Sequence, residues 1–302
     1  MRGEVLMKVL LAINPSSGGE QAKEYQELAE KSLKKRFDQV TTVLTEGEGD
    51  ATRFAKQAAE EGYDAYFVMG GDGTVNEGIS GLAEVDERPA FGFFPLGTVN
   101  DLARALGISM DPKEAIQQVV DYQTKKLDIG KINQSYFMNV VAIGAIPETL
   151  NETSVEDKTK FGKLAYVWNG LKSFMNNQAY DFRLVLDGKE QFIHSSTLIV
   201  GLTNSIGGFE QLLPNAEIND GLCHLVYLKD GSKLETLQAV PELLQGVDGE
   251  GNHLSYQTFK EGTIELVSEE KLQVNVDGDP GDELPIKIRI LSGHLDVYCP
   301  AK

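Results

Sequence analysis

A chain of 302 residues reaches the size at which one hydrophobic core stops growing, roughly 250–300 residues, so two domains are expected. Its net charge of −18, from 28 basic and 46 acidic residues, repels DNA and anionic membranes at long range; it excludes nucleic acid as a partner and leaves membrane contact to a local basic or apolar patch. Apolar residues make up 41% of the chain, enough for ordinary cores, yet no apolar run approaches the ~18 residues of a membrane span.

Lys8–Ile13 reads as a buried strand entering the turn Asn14-Pro15-Ser16-Ser17-Gly18-Gly19. Its apolar run is too short for a signal peptide and lacks a small-residue cleavage site; Met7 could open the strand directly, with residues 1–6 as an extension. Glu20–Phe37 is helical by spacing, with Tyr25, Leu28, Leu33 and Phe37 near one face. Strand Gln39–Leu44, helix Ala51–Glu61 and strand Ala65–Met69 follow, then a glycine turn and a helix at Val75–Ala83. Strand Ala90–Phe94 leads to a helix at Asp101–Leu106, and Asp111 as N-cap with Pro112 at N1 starts the helix Pro112–Asp121. This βαβα alternation implies a mostly parallel sheet with helices on both faces.

After Lys126 the pattern turns to strands: Leu127–Ile132, Tyr136–Ile143, Phe182–Leu186, Gln191–Thr203, Gly221–Leu228, Thr263–Val267, Leu272–Val276, Ile286–Ile290 and Leu295–Cys299, separated by turns such as Asp187-Gly188. Helical stretches at Lys160–Asn176 and Lys233–Gln245 interrupt them. The expected fold is α/β: an N-terminal three-layer domain with a mostly parallel sheet over residues 1–127, and a C-terminal β-rich, antiparallel, sandwich-like domain over 128–289, with the tail from about 290 to 302 returning to the first domain. Cys223 and Cys299 sit in strand-like contexts and read as buried thiols of a reducing cytoplasm; the four histidines show no ligand spacing.

The strongest chemical signal is Gly70-Gly71-Asp72-Gly73-Thr74-Val75-Asn76-Glu77, which follows a strand and opens a helix. Its glycines let the backbone approach a phosphate, and the helix N-terminus adds partial positive charge. A Gly-Lys-Ser/Thr ending is absent, so this is no Walker loop. Pro95-Leu96-Gly97-Thr98-Val99-Asn100-Asp101 and the Asn14–Gly19 turn also follow apolar strands, so three turns converge on one sheet edge. Asn100 and Asp101 also suit helix capping, Asp220 an Asn-Asp-Gly turn and Asp277 a hairpin turn.

These motifs resemble the soluble bacterial diacylglycerol kinase family, within the diacylglycerol and sphingosine kinase superfamily. The likeness extends through Leu127-Asp128-Ile129-Gly130, Gly201–Ser205 with Gly208-Phe209-Glu210, Pro214-Asn215-Ala216 with Asn219-Asp220-Gly221, and Val276–Asp279 with Leu284-Pro285. The resemblance implies transfer of the ATP γ-phosphoryl group to a lipid hydroxyl, with diacylglycerol giving phosphatidic acid. It places ATP on Asn14, Pro15, Ser16, Thr45, Gly70, Gly71, Asp72, Gly73, Thr74, Val75, Asn76 and Thr98. It places Mg²⁺ at Asp220 with Glu217 and Leu222, and the catalytic base at Asp277 or Asp279, where Asp-Gly-Asp replaces the family's usual Asp-Gly-Glu. The implied partners are ATP and a lipid at the membrane surface; the implied state is a homodimer in the cytoplasm, visiting the inner face of the membrane. Lys158–Trp168, with three lysines beside aromatics, reads either as an amphipathic helix packing on the β-rich domain or as a helix that docks to the membrane interface. The competing readings are a kinase for another lipid or for NAD, and a catalytically weak nucleotide- or lipid-binding protein.

Overall fold

The computed structural model describes residues 6–18, 22–144, 178–229, 239, 241–243 and 245–301. The expected helix at Lys160–Asn176, the segment Lys158–Trp168 and most of Lys233–Gln245 lie outside these residues.

The first part is the anticipated alternation. Strand β1 (Lys8–Ile13) is followed by α1 (Ala22–Leu33), β2 (Gln39–Leu44), α2 (Asp50–Glu60), β3 (Ala65–Gly70), α3 (Asp72–Ala83), β4 (Ala90–Pro95), α4 (Asp101–Leu106) and α5 (Pro112–Gln118). The four strands pair in parallel in the order β2-β1-β3-β4. Continuously apolar β1 and β3 are covered on both faces, as a parallel sheet requires. The Asp111 carboxylate accepts the Glu114 N–H at 2.8 Å, so the predicted cap starts α5. Helix α1 ends at Leu33, four residues before the predicted end, although Phe37 still packs in the core at 2% exposure.

The second part is built of β5 (Gln123–Ile132), β6 (Ser135–Phe137), β7 (Val140–Gly144), β8 (Tyr180–Leu186), β9 (Lys189–Ser195), β10 (Thr197–Gly201), β11 (Cys223–Leu228), β12 (Leu254–Phe259), β13 (Glu261–Leu266), β14 (Gln273–Val276), β15 (Asp279–Glu283) and β16 (Ile286–Cys299). Strand β16 pairs in parallel with β4 at one end and antiparallel with β13 at the other, so the parallel sheet continues through β16-β13-β8-β9. A second, antiparallel sheet runs β12-β11-β10-β7-β14-β15. Phe182, Leu184, Ile264 and Ile288 of the large sheet meet Val141, Val200, Leu225 and Val274 of the small one in a common core. That is a sandwich, with the outer face of the large sheet turned away from the core.

Several strand boundaries differ from the sequence reading. Tyr136–Ile143 is two strands, because the N–H groups of Met138, Asn139 and Val140 all turn to the Asp277 carboxylate. Gln191–Thr203 breaks at a corner where the Ser195 hydroxyl bonds the Thr197 main chain, and β9 and β10 enter different sheets. Ile286–Ile290 and Leu295–Cys299 are one strand with a bulge, since Gly293 at φ 56° donates its N–H to Asp128 without ending the pairing. Strands β12 and β15 escaped the reading: β12 is polar between Leu254 and Phe259, and β15 is a polar edge strand carrying Pro280 and Gly281. The Asp187-Gly188 turn joins β8 and β9, with both residues at positive φ. Among the described residues no helix is long and apolar enough to cross a membrane.

Helix α2 lies against α3, and the contact needs Gly81. A β-carbon there would sit 2.5 Å from the Thr52 carbonyl oxygen and 2.7 Å from Ala55 Cβ. Gly81→Val is expected to force the helices apart and cost about 2 kcal/mol, read as a lower urea midpoint with an unchanged slope.

Candidate functional site

The carboxyl ends of β1, β2 and β3 open into a cavity of about 490 Å³. It is lined by Asn14, Pro15, Ser16, Thr45, Gly71, Gly73 and Thr74 from the predicted set, and also by Ser17, Glu46, Gly47, Glu48 and Glu77. Asn14 ties the first turn to α3: its side-chain amide donates to the Thr74 hydroxyl at 3.0 Å, and its Oδ1 accepts from the Ser16 N–H and hydroxyl. Helix α3 begins at Asp72 with Gly71 as an extended N-cap that supplies no side chain, so the first-turn amides remain available to an anion. Among the described lining residues there is no lysine or arginine, while Glu46 and Glu48 sit on the rim. A polyphosphate here would therefore meet amide N–H groups and would need a divalent cation to offset the carboxylates.

The remaining predicted residues hold the turns in place. Gly70 lies beneath the Thr74 side chain, which is 2.6 Å from where a β-carbon would project. Val75 is buried in the core, and the Asn76 Oδ1 accepts from the Ser80 hydroxyl at 3.3 Å. Asp72 reaches the next turn, where its carboxylate accepts the N–H groups of Asn100 at 2.8 Å and Asp101 at 3.2 Å. It caps α4 from outside, because Asn100, at φ 51°, makes no side-chain cap of its own. Burial raises the Asp72 pKa above the ordinary carboxylate value. Gly71 and Gly97 bring the two turns together, since a β-carbon on Gly97 would lie 3.0 Å from the Gly71 Cα. Thr98 is exposed and does not line the cavity.

Asp101 does not cap its helix. Its buried carboxylate crosses to the 203–210 loop, accepting from the Ser205 hydroxyl at 2.7 Å, the Gly207 N–H at 2.6 Å and the Gly208 N–H at 2.9 Å. Arg104 pairs with Glu210 at 2.6 Å across the same seam. Buried Asp128 makes a second clasp, accepting the Gly221 and Gly293 N–H groups at 2.6 Å each. Neither clasp was assigned from sequence. The available signal was the recurrence of isolated aspartates beside glycine-containing segments, since a glycine amide with no side chain lets a carboxylate come close.

Glu217, Asp220 and Leu222 share one turn. The Asp220 carboxylate accepts the Glu217 N–H at 3.0 Å and the Leu222 N–H at 2.9 Å, and its Oδ2 lies 2.9 Å from His224 Nε2. Burial raises the Asp220 pKa, but the His224 contact and the N–H donors outweigh it and hold the carboxyl below the usual range. A carboxylate offers about four acceptor positions, so one stays free for a hard cation. Among the described residues no cluster of three or more His, Cys, Asp or Glu side chains is placed to hold a metal. The turn thus fits an ion that keeps most of its water and takes a single carboxylate oxygen, as Mg²⁺ does.

Asp277 and Asp279 flank the β14–β15 turn. The Asp277 carboxylate accepts the N–H groups of Met138, Asn139 and Val140 at 2.7–2.9 Å, and Asp277 itself stands at φ 52°. Burial pushes its pKa up to about 6; the three N–H donors pull it back and the charge of Asp72 adds to the rise. Helix α3, which the glycine turn opens, packs beside β6, and the residues that follow β6 hold the Asp277 carboxylate. Asp279 is exposed, and among the described residues its side chain has no hydrogen-bond or ion-pair partner.

Residues 8–132 match the profile of the diacylglycerol kinase catalytic domain, and residues 140–299 match that of the YegS C-terminal NAD kinase beta sandwich-like domain. A diacylglycerol kinase of Staphylococcus aureus (strain MRSA252) is 36% identical over 95% of this chain and 90% of its own length. One from Bacillus subtilis (strain 168) is 34% identical over 98% of this chain and 97% of its own. A solved structure of a diacylglycerol kinase from Bacillus anthracis strain Sterne superposes with a TM-score of 0.78 at 25% identity, covering 98% of this chain and 97% of that one.

Asp101→Ala would leave three donors of the 203–210 loop unpaired and is expected to cost about 3 kcal/mol in chemical denaturation, with Asp101→Asn losing less. Asp277 has a folded pKa of about 6 against an ordinary 3.8, so the folded state holds its proton the more tightly. Its contribution to stability is complete below the ordinary value and is lost as pH rises through the folded one. Asp277→Asn is therefore expected to flatten the pH dependence of the denaturation midpoint between about pH 4 and pH 6. A slope equal to that of the wild type would exclude this assignment.

Proposed function

The chain belongs to the diacylglycerol kinase-like family of lipid kinases, phosphotransferases with a hydroxyl acceptor, and on that premise we propose that it moves the γ-phosphoryl group of ATP to the free hydroxyl of diacylglycerol, giving phosphatidic acid. The observation that carries this reading is the convergence of Asn14, Thr45, Gly71, Gly73 and Thr74 on one cavity at the strand ends. In this proposal residues 1–127 hold the nucleotide, residues 128–289 receive the lipid, and the lipid is met at the inner face of a membrane.

Phosphoryl transfer asks little covalent help of a protein; it needs alignment, charge stabilisation and a proton acceptor. The α3 amide groups at Gly73 and Thr74 stabilise the phosphate chain, and Asn14, Ser16 and Thr45 orient it. Mg²⁺, when bound with the nucleotide, neutralises phosphate charge that the Glu46 and Glu48 rim would otherwise repel. Gly97 packs against Gly71 and holds the second turn beside the first. Asp279, whose carboxylate is uncommitted, takes the acceptor hydroxyl's proton. Asp277 is the positioning residue: with three main-chain partners it locks the turn that presents Asp279.

The direct test is labelled ATP with Mg²⁺ and a panel of lipids in mixed micelles, with NAD as a competing acceptor and products identified by mass. Phosphatidic acid is the expected product; label appearing only in another lipid, only in NAD, or nowhere would overturn the proposal. Asp279→Asn is expected to lower kcat by roughly 10²–10⁴-fold with little change in the KM for ATP. Wild-type turnover in that variant would remove Asp279 as the proton acceptor.

A further inference from the structure

The turn that carries Asp220 runs directly into β11, and strand alternation decides where the next residues point. Cys223 and Leu225 enter the sandwich core, so His224 and Val226 face the opposite side of the small sheet. On β12 Tyr256 stands opposite Val226, one diagonal step from His224 on that same face. His224 is 1% exposed, yet both of its ring nitrogens have partners: Nδ1 lies 2.7 Å from the Tyr256 hydroxyl and Nε2 lies 2.9 Å from Asp220 Oδ2. Packing alone does not ask for this, since an apolar side chain would fill the position with less desolvation.

The direction of these hydrogen bonds follows from the groups. An ionised carboxylate only accepts, so Nε2–H donates to Asp220, and the neutral ring then accepts the Tyr256 O–H at Nδ1. Tyr256 thereby fixes the tautomer, and His224 fixes the carboxylate. Both acceptor positions of Oδ2 are filled, by His224 and by the Glu217 N–H at 3.0 Å, whereas Oδ1 accepts the Leu222 N–H at 2.9 Å and keeps a second position. Asp128 anchors the turn from the other side: its N–H donates to the Ile218 carbonyl at 2.8 Å, and its carboxylate accepts the Gly221 N–H at 2.6 Å. The turn is thus held from the small sheet and from β5, while the Asp220 side chain keeps 18% of its surface in contact with water.

We propose that Tyr256 and His224 form a positioning relay that orients the Asp220 carboxylate, so that Oδ1 is the oxygen presented to a hard divalent cation. The inference rests on the reading of this turn as the cation turn of a lipid kinase and adds the residues that prepare it. Because both ring nitrogens are engaged within the relay, His224 supplies no nitrogen ligand, and the turn offers oxygen only, the ligand that suits Mg²⁺ and Mn²⁺ better than softer ions. Partners of this kind, one step behind a metal ligand, set its orientation before the ion arrives.

The test measures Mn²⁺ binding to the full chain by electron paramagnetic resonance, without nucleotide or lipid, and Asp220→Asn identifies the binding that belongs to this turn. His224→Leu is expected to weaken that binding by about 10–100-fold, Tyr256→Phe by up to about tenfold, and His224→Gln, which restores a side-chain N–H donor, by much less. Tyr256→Phe deletes a single oxygen and decides the matter should His224→Leu not fold. Ring-nitrogen shifts of His224 in NMR spectra of the wild type are expected to place the proton on Nε2. Unchanged Mn²⁺ affinity in Tyr256→Phe and in any folded His224→Leu, even with a lowered urea midpoint, would make the pair a packing feature and overturn the inference. So would a ring proton on Nδ1 alone, or the absence of any Mn²⁺ binding that depends on Asp220. If the wild type instead fails to phosphorylate diacylglycerol in micelles while the Mn²⁺ results hold, the lipid-kinase reading falls and the relay stands.

Discussion

An ionised carboxylate buried against a protein core must be given partners or lose its charge, and here the partners are main-chain N–H groups. Asp72, Asp101, Asp128, Asp220 and Asp277 each accept two or three of them. A carboxylate held this way fixes the backbone that holds it, because every donor amide must keep its direction. The five therefore act as pins: Asp72 joins the two glycine-containing turns, Asp101 and Asp128 clasp loops of the β-rich part, and Asp277 makes the corner between β6 and β7. The site can be acidic and ordered at once because its negative groups are satisfied by the chain itself.

That arrangement bears on how the nucleotide would be held. The lining has no lysine among the described residues, so charge stabilisation falls to amide groups, a helix N-terminus and the cation that accompanies ATP. Close approach of backbone to phosphate demands small residues where the turns meet, and Gly71 against Gly97 provides it. The acidic turn divides its labour for the same reason. Asp277 is committed to three amides, whereas the Asp279 side chain, one residue beyond Gly278, has no partner among the described residues.

The distribution of charge follows the same logic on the surface. On the outer sheet face acidic and basic side chains are interleaved: Arg183 lies between Glu190 and Glu265, and Arg289 stands opposite Glu261. A β-sheet sets such charges side by side because alternate residues of neighbouring strands project together.

Much of this was legible in the residues. Apolar runs ending in glycine turns announced β1, β3 and β4 and the edge on which Asn14, Thr45 and Gly71 meet, because a parallel strand buried on both faces is nearly all apolar and its chemistry must gather at its end. The Asp111-Pro112 cap was equally local and equally readable. What escaped depended on long-range pairing. The corner at Met138–Val140 exists because Asp277, 137–139 residues away, accepts its amides; the Asp101 clasp spans 104–107 residues. β12 and β15 become strands through their neighbours, with little hydrophobic pattern of their own. By itself the sequence determined the parallel half and the residues of its strand tips, since propensity, capping and burial act within a few residues. Which aspartate pins and which is free, and that Lys131 and Arg289 lie side by side, only the tertiary structure decided, because a carboxylate's role is set by the distant amides that reach it and a sheet's surface by the register of strands far apart in the chain.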